Sequence, residues 1–273
     1  MMKLLFCTLV LVSTSMVYAN FGGYKRGDLA GVGQHYFFDE SNKIELSKER
    51  LTLNIDNKLH FIGKFQFRNT SSEKHTVTLA FPQETFWEVP YDKKTSTYKP
   101  GKIREIRPVI TINGEQSKFE TGMTWAIQDV QKISFLNPKE MEPELVSYAN
   151  SHEAQSPPAK AIVLWFHKDL EFKPNQEINV EISFNIGWSY QDEDWSTGIK
   201  KGERYFRYVT KTGGAWKDGK IKDFSFIVNL GKNNKKKLIF EPKDSWKEVS
   251  PSQFEMVLKD YSPTVDLKIT KLQ

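Results

Sequence analysis

Cysteine is all but missing from this sequence. The only one, Cys7, lies in an apolar N-terminal run, so the rest of the chain has no disulfide, thiol nucleophile or cysteine-bound metal. Long apolar runs are missing too. Beyond residue 20 no segment approaches the ~20 apolar residues that a membrane-spanning helix needs. Charge of one sign is scarce. Thirty-nine Lys+Arg against 34 Asp+Glu leaves +5, too little to make nucleic acid a partner by charge alone. No G-x-G-x-x-G or Walker sequence occurs, which excludes the common nucleotide cradles. The five histidines, His35, His60, His75, His152 and His167, never fall at a zinc-motif spacing. Neither a metal nor a cofactor is expected.

What is present begins with MMKLLFCTLVLVSTSMVYAN, in which Lys3 precedes an apolar run from Leu4 to Val12 and a stretch ending in Val17-Tyr18-Ala19. This is the pattern of a secretory signal peptide, residues 1–19, with cleavage expected before Asn20. Phe6 before Cys7 does not suit a lipoprotein site. The expectation is a periplasmic or secreted chain, free of cysteine and of a transmembrane segment once cleaved. Such a chain must be held by its hydrophobic core, and 38% hydrophobic with 13% aromatic residues is enough to build one.

From Leu51 the hydrophobic period is two. Leu51, Leu53 and Ile55 alternate with polar residues, and Leu59, Phe61, Gly63, Phe65 and Phe67 repeat the pattern. Residues 68–74 supply a turn, Val77, Leu79 and Phe81 resume the alternation, and Pro82 is expected to end that strand. Asn113-Gly114 reads as a hairpin turn. Residues 119–158 are less periodic, with a short helix expected at 141–152. Strands resume at 161–166, 177–186, 204–212, 224–230, 237–240, 253–258 and 264–269, with an acidic loop at 188–195. The fold class is therefore mainly β: two antiparallel β-sandwich-like lobes, residues 20–118 and 159–273, joined by the short, partly helical connector 119–158.

Three short matches invite a catalytic reading. Ser71-Ser72-Glu73-Lys74 spells S-x-x-K, Tyr148-Ala149-Asn150 spells Y-x-N, and Lys211-Thr212-Gly213 is the third motif of penicillin-recognising serine enzymes. A nucleophilic S-x-x-K needs its serine and lysine one helical turn apart, whereas Ser71 and Lys74 fall in a turn between alternating strands. The chain reads as no enzyme and no catalytic residue is assigned. Two alternatives stay open, a serine acyl enzyme at Ser71, Lys74 and Lys211 and a glycan hydrolase using Asp192 and Asp194. Of the seven tryptophans, Trp188, Trp195 and Trp216 sit in or beside polar loops, where they either pack or form an aromatic platform for sugars or a partner. With Lys211 and Thr212 they are the candidate ligand-binding residues.

Several segments resemble, in chain order, a bacterial exported family known as a domain of unknown function. They are Gly27-Asp28-Leu29, residues 44–51, Phe65-Gln66-Phe67-Arg68-Asn69-Thr70, Leu79-Ala80-Phe81-Pro82 and Trp165 to Phe172. The most specific is Tyr208-Val209-Thr210-Lys211-Thr212-Gly213-Gly214-Ala215-Trp216, followed by Ile221-Lys222-Asp223-Phe224, where the family usually has glycine in place of Lys222. The resemblance implies export and β architecture but no reaction. The function expected is noncatalytic, a binding or scaffolding role in the cell envelope toward an envelope component, polysaccharide or protein. A carbohydrate-binding module is a further alternative.

Overall fold

A computed structural model describes residues 31–33, 36–38, 43–88, 91–92, 97–98, 108–124, 143, 159–191, 203–210, 217–231 and 238–271. The strands in the first half are β1 (Gly31–Gly33), β2 (Tyr36–Phe38), β3 (Ile44–Ile55), β4 (Leu59–Asn69), β5 (His75–Glu88), β6 (Tyr91–Asp92), β7 (Thr97–Tyr98), β8 (Val109–Ile112), β9 (Glu115–Gln116) and β10 (Glu120–Thr124). In the second half they are β11 (Ala159–Phe172), β12 (Glu177–Ile186), β13 (Ser189–Gln191), β14 (Glu203–Val209), β15 (Ile221–Leu230), β16 (Leu238–Glu241), β17 (Lys247–Ser250), β18 (Gln253–Tyr261) and β19 (Leu267–Lys271).

The mainly β class holds, but the halves do not form separate lobes. Among the described residues one sheet runs β10-β11-β5-β1-β14-β19-β16, with β13 on β14 and β2 on β5. A second runs β17-β18-β15-β3-β4-β12-β8-β9. Both sheets draw strands from residues 20–118 and from residues 159–273. The parallel pairs β1–β14 and β3–β15 stitch the halves together. The buried side chains of the two sheets form one core cluster. Alternation fixes which face of a strand is buried and is silent on which strand lies beside it. Of the connector, β10 is a strand at the edge of the first sheet and Pro143 has helical backbone; the rest of the expected helix lies outside the described residues.

Aromatic rings join the sheets. Phe61 on β4 lies 5.2 Å from Phe184 within its own sheet, and 6.0 and 5.7 Å from Phe206 and Tyr208 of the other. Phe226 meets the same two rings at 6.2 Å, and Phe81 reaches across to Phe184 at 5.9 Å. Gly63 leaves the space that this packing needs, because a Cβ there would sit 2.7 Å from the Phe65 ring.

Pro82 does not end β5, which continues to Glu88. The neighbour of β5 on one side changes there, from β2 at Thr78–Ala80 to β1 at Gln83, so the missing N–H falls at a break in the ladder. The Asn113-Gly114 turn forms as expected, with φ of 51° and 86°. Gly114→Ala should cost about 1 kcal/mol, because a side chain at that φ is strained although the space around it is open. The shift in denaturant midpoint measures it.

Candidate functional site

The features that position a site originate in one irregularity of β3. Ile44 and Leu46 are buried at even positions, whereas Leu51, Leu53 and Ile55 are buried at odd ones. A two-residue period cannot satisfy both sets. A β-bulge between Leu46 and Lys48 absorbs the mismatch, with Leu46 opposite Phe67 and Lys48 opposite Gln66. Ser47 Oγ secures the bulge by donating to the Gln66 carbonyl at 2.9 Å. Two consequences follow on opposite faces of the second sheet.

On the inner face, the bulge turns Glu49 into the core, where it is fully buried. Tyr208 Oη, from the other sheet and also fully buried, donates to Glu49 Oε1 at 2.7 Å. Burial, then the charge of Glu49 and the hydrogen bond to it, push the Tyr208 phenol well above its ordinary pKa. Just beyond, Thr210 is buried where β14 has ended. Its N–H donates to Asp266 Oδ1 at 3.1 Å, and its hydroxyl donates to the Val265 carbonyl at 2.5 Å. The buried Tyr261 hydroxyl lies beside the Thr210 side chain. A polar seam thus runs through the sandwich to the point where the chain enters Lys211-Thr212.

On the outer face, the same bulge leaves Lys48 and Arg50 pointing away from the core. Register places Arg50 beside Lys64, Lys64 beside Glu181, and Glu181 beside Thr111. The next row carries Lys48, Gln66 and Asn179. These side chains and the Gly114 turn line a cleft of about 280 Å³. Lys64 is held by Glu181 at 3.1 Å. Asp223, opposite Lys48, is held by Lys259. Lys48 and Arg50 make no ion pair among the described residues, so the cleft carries an uncompensated positive charge.

Of the candidate binding residues named from sequence, only Trp188 is described, and it is no loop platform. It is 8% exposed within the core cluster, and Lys271 Nζ lies 5.5 Å from its ring centroid. It continues the inward parity of Ile178, Val180, Ile182, Phe184 and Ile186 on β12. Trp195, Lys211, Thr212 and Trp216 lie outside the described residues, as do Asp192, Asp194 and Tyr148-Ala149-Asn150. Sequence reasoning missed Glu49, Lys48 and Arg50. The phase break between Leu46 and Leu51 was the available signal.

The S-x-x-K match is a turn between β4 and β5. Lys74 Nζ is 2.9 Å from Glu171 Oε2, while Ser71 Oγ lies 2.7 Å from His75 Nε2 and 2.9 Å from Asn69 Oδ1. Asn69 is fully buried and its amide donates to the carbonyls of Glu73 and Lys173, which docks this turn on the one between β11 and β12. Serine and lysine are therefore each engaged elsewhere. Incubation with a β-lactam should leave the intact mass unchanged, and a stable adduct that Ser71→Ala abolishes would reverse this reading. Among the described residues no group of three or more His, Cys, Asp or Glu is placed to hold a metal, and no helix is long and apolar enough to cross a membrane.

The fold and site therefore define a mainly β protein with two large sheets around one core, a small β6–β7 ribbon, and a cleft on one outer face. Residues 188–270, which include β14, β15 and β18, match the model of a domain of unknown function, DUF4424. No curated protein matches the chain. Among solved structures it is similar to a "putative nutrient binding protein" from Legionella pneumophila, at 15% identity and a TM-score of 0.57, over 90% of this chain and 71% of that one. An M1 zinc metallopeptidase from Deinococcus radiodurans overlaps 83% of this chain at 8% identity, with a TM-score of only 0.32, and the chain spans 42% of its length.

Proposed function

We propose that this protein is an exported, noncatalytic component of the cell envelope that binds a small solute on the outer face of its second sheet. The observation that carries the reading is the cleft lined by Lys48, Arg50, Lys64, Thr111, Asn179 and Glu181. It gathers donors and acceptors on rigid strands around a volume near the small end of the ~300–1,000 Å³ typical of ligand sites. The Legionella protein of similar fold, whose name refers to nutrient binding, supports a binding role over a catalytic one. Export rests on the N-terminal signal pattern.

Two measurements test this. Cell fractionation with intact mass should find the chain outside the cytoplasm and starting at Asn20. A thermal-shift screen of sugars, sugar acids, amino acids and inorganic anions should find at least one solute that raises the melting temperature of the wild type but not of Arg50→Glu. If no solute does so, while crosslinking in the native envelope captures a protein, scaffolding replaces solute binding.

A further inference from the structure

We infer that the solute taken by this cleft is an acidic sugar, one carboxylate or phosphate group on a hydroxyl-bearing ring; the inference rests on the solute-binding reading above. Charge argues for the anion. Three cations, Lys48, Arg50 and Lys64, meet there with one carboxylate, Glu181, which is already paired to Lys64. Two acids on neighbouring strands are engaged as well: Asp223 by Lys259, and Glu177 by the Gln66 amide at 3.3 Å. Lys48 and Arg50 are left with open donors, and a guanidinium presents the flat fork that a carboxylate or phosphate fits.

The other wall argues for the sugar. Asn179 and Thr111 line the same cleft from β12 and β8, on the side away from Arg50. One amide and one hydroxyl both donate and accept, which suits ring hydroxyls rather than a second charge. The β8–β9 turn that walls this side is tied down, since Asn113 N–H donates to the Asn179 carbonyl at 2.8 Å and Asn113 Oδ1 accepts from Asn179 N–H at 2.9 Å. A ligand with its anion toward β3 and its hydroxyls toward β12 uses both walls. A bare anion uses one, and a neutral sugar leaves the cations unmatched.

The cleft lies open on the sheet face, so the acidic sugar could be a free solute or a unit of an envelope polymer. Calorimetric titration of the mature full chain with galacturonate, glucose 6-phosphate, glucose, inorganic phosphate and polygalacturonate separates these. Galacturonate or glucose 6-phosphate should bind at least tenfold more tightly than glucose and than inorganic phosphate, and should weaken as salt is raised. Lys48→Ala with Arg50→Ala should reduce that affinity at least tenfold, and Thr111→Val with Asn179→Leu should remove the preference over inorganic phosphate. A free-solute ligand predicts that the monomers bind as tightly per site as polygalacturonate, a polymer ligand that they bind more weakly. Glucose binding as tightly as the acidic sugars leaves the solute-binding reading standing and overturns the acidic-sugar assignment. Inorganic phosphate matching them overturns the sugar half. No binding of any probe at millimolar concentration, with wild-type melting behaviour, overturns the assignment outright.

Discussion

Phe61→Ala is expected to destabilise the protein by about 3–5 kcal/mol, the range for removing a large aromatic side chain from a close-packed core. Phe61 is fully buried and its ring meets Phe184, Phe206 and Tyr208, so it touches both sheets at their junction. Neither half can take up the loss alone, because strands from both halves line the cavity. The variant should unfold in a single transition at lower denaturant, with far-UV and near-UV signals moving together. Two transitions, one of them unshifted, would mean that the halves fold as separate lobes after all.

The second large effect is expected at Tyr208, where phenylalanine keeps the ring packing and removes only the hydroxyl. The bond lost is to a buried carboxyl group, so the cost should be about 1.5–3 kcal/mol at pH 7. Its pH dependence is more specific than its size. Burial and Glu49 raise the folded-state pKa of Tyr208 above the ordinary value of 10.0. Below that value both folded and unfolded chains keep the phenol proton, and the hydroxyl's contribution is complete. As pH rises above it, the unfolded chain gives up the proton first, and the contribution is lost as pH climbs toward the folded-state value. Wild-type stability should therefore fall more steeply than that of Tyr208→Phe at and above pH 10, and the gap between them should narrow. Denaturant midpoints across that range measure it, and a gap that widens with pH would contradict the assigned geometry.

The parts of the fold that follow from a period of two were legible in the residues. Leu59 to Phe67, broken only by Ile62, and Glu177 to Ile186 alternate, and β4 and β12 bury the faces that the alternation assigns. Turn chemistry was equally legible at Asn113-Gly114, where positive φ is required at both positions. Strand neighbours were not. That β3 lies parallel to β15, some 175 residues later, is set by long-range packing, and no local pattern encodes it. Reading the halves as lobes follows naturally when each supplies enough strands for a sandwich of its own.

The candidate site divides along the same line. Trp188 looked like a loop aromatic because acidic residues follow it, yet its parity with Ile186 already placed it inward. At β3 the two out-of-phase apolar sets signalled a bulge. Only with the bulge in place does Glu49 enter the core while Lys48 and Arg50 reach the outer face. Which residues then meet across the cleft depends on the register of β3, β4, β12 and β8 together, and that is a property of the assembled sheet.

The central claim is that the outer face of the second sheet, set by that bulge, is where this protein binds. Amide-resolved NMR of the isotope-labelled chain, titrated with galacturonate, tests it most directly. The expected perturbations cluster at residues 48–50, 64–66, 111–114 and 179–181. Perturbations centred instead on Tyr208, Thr210 and Trp188, with the outer face of β3 and β4 unmoved, would contradict it.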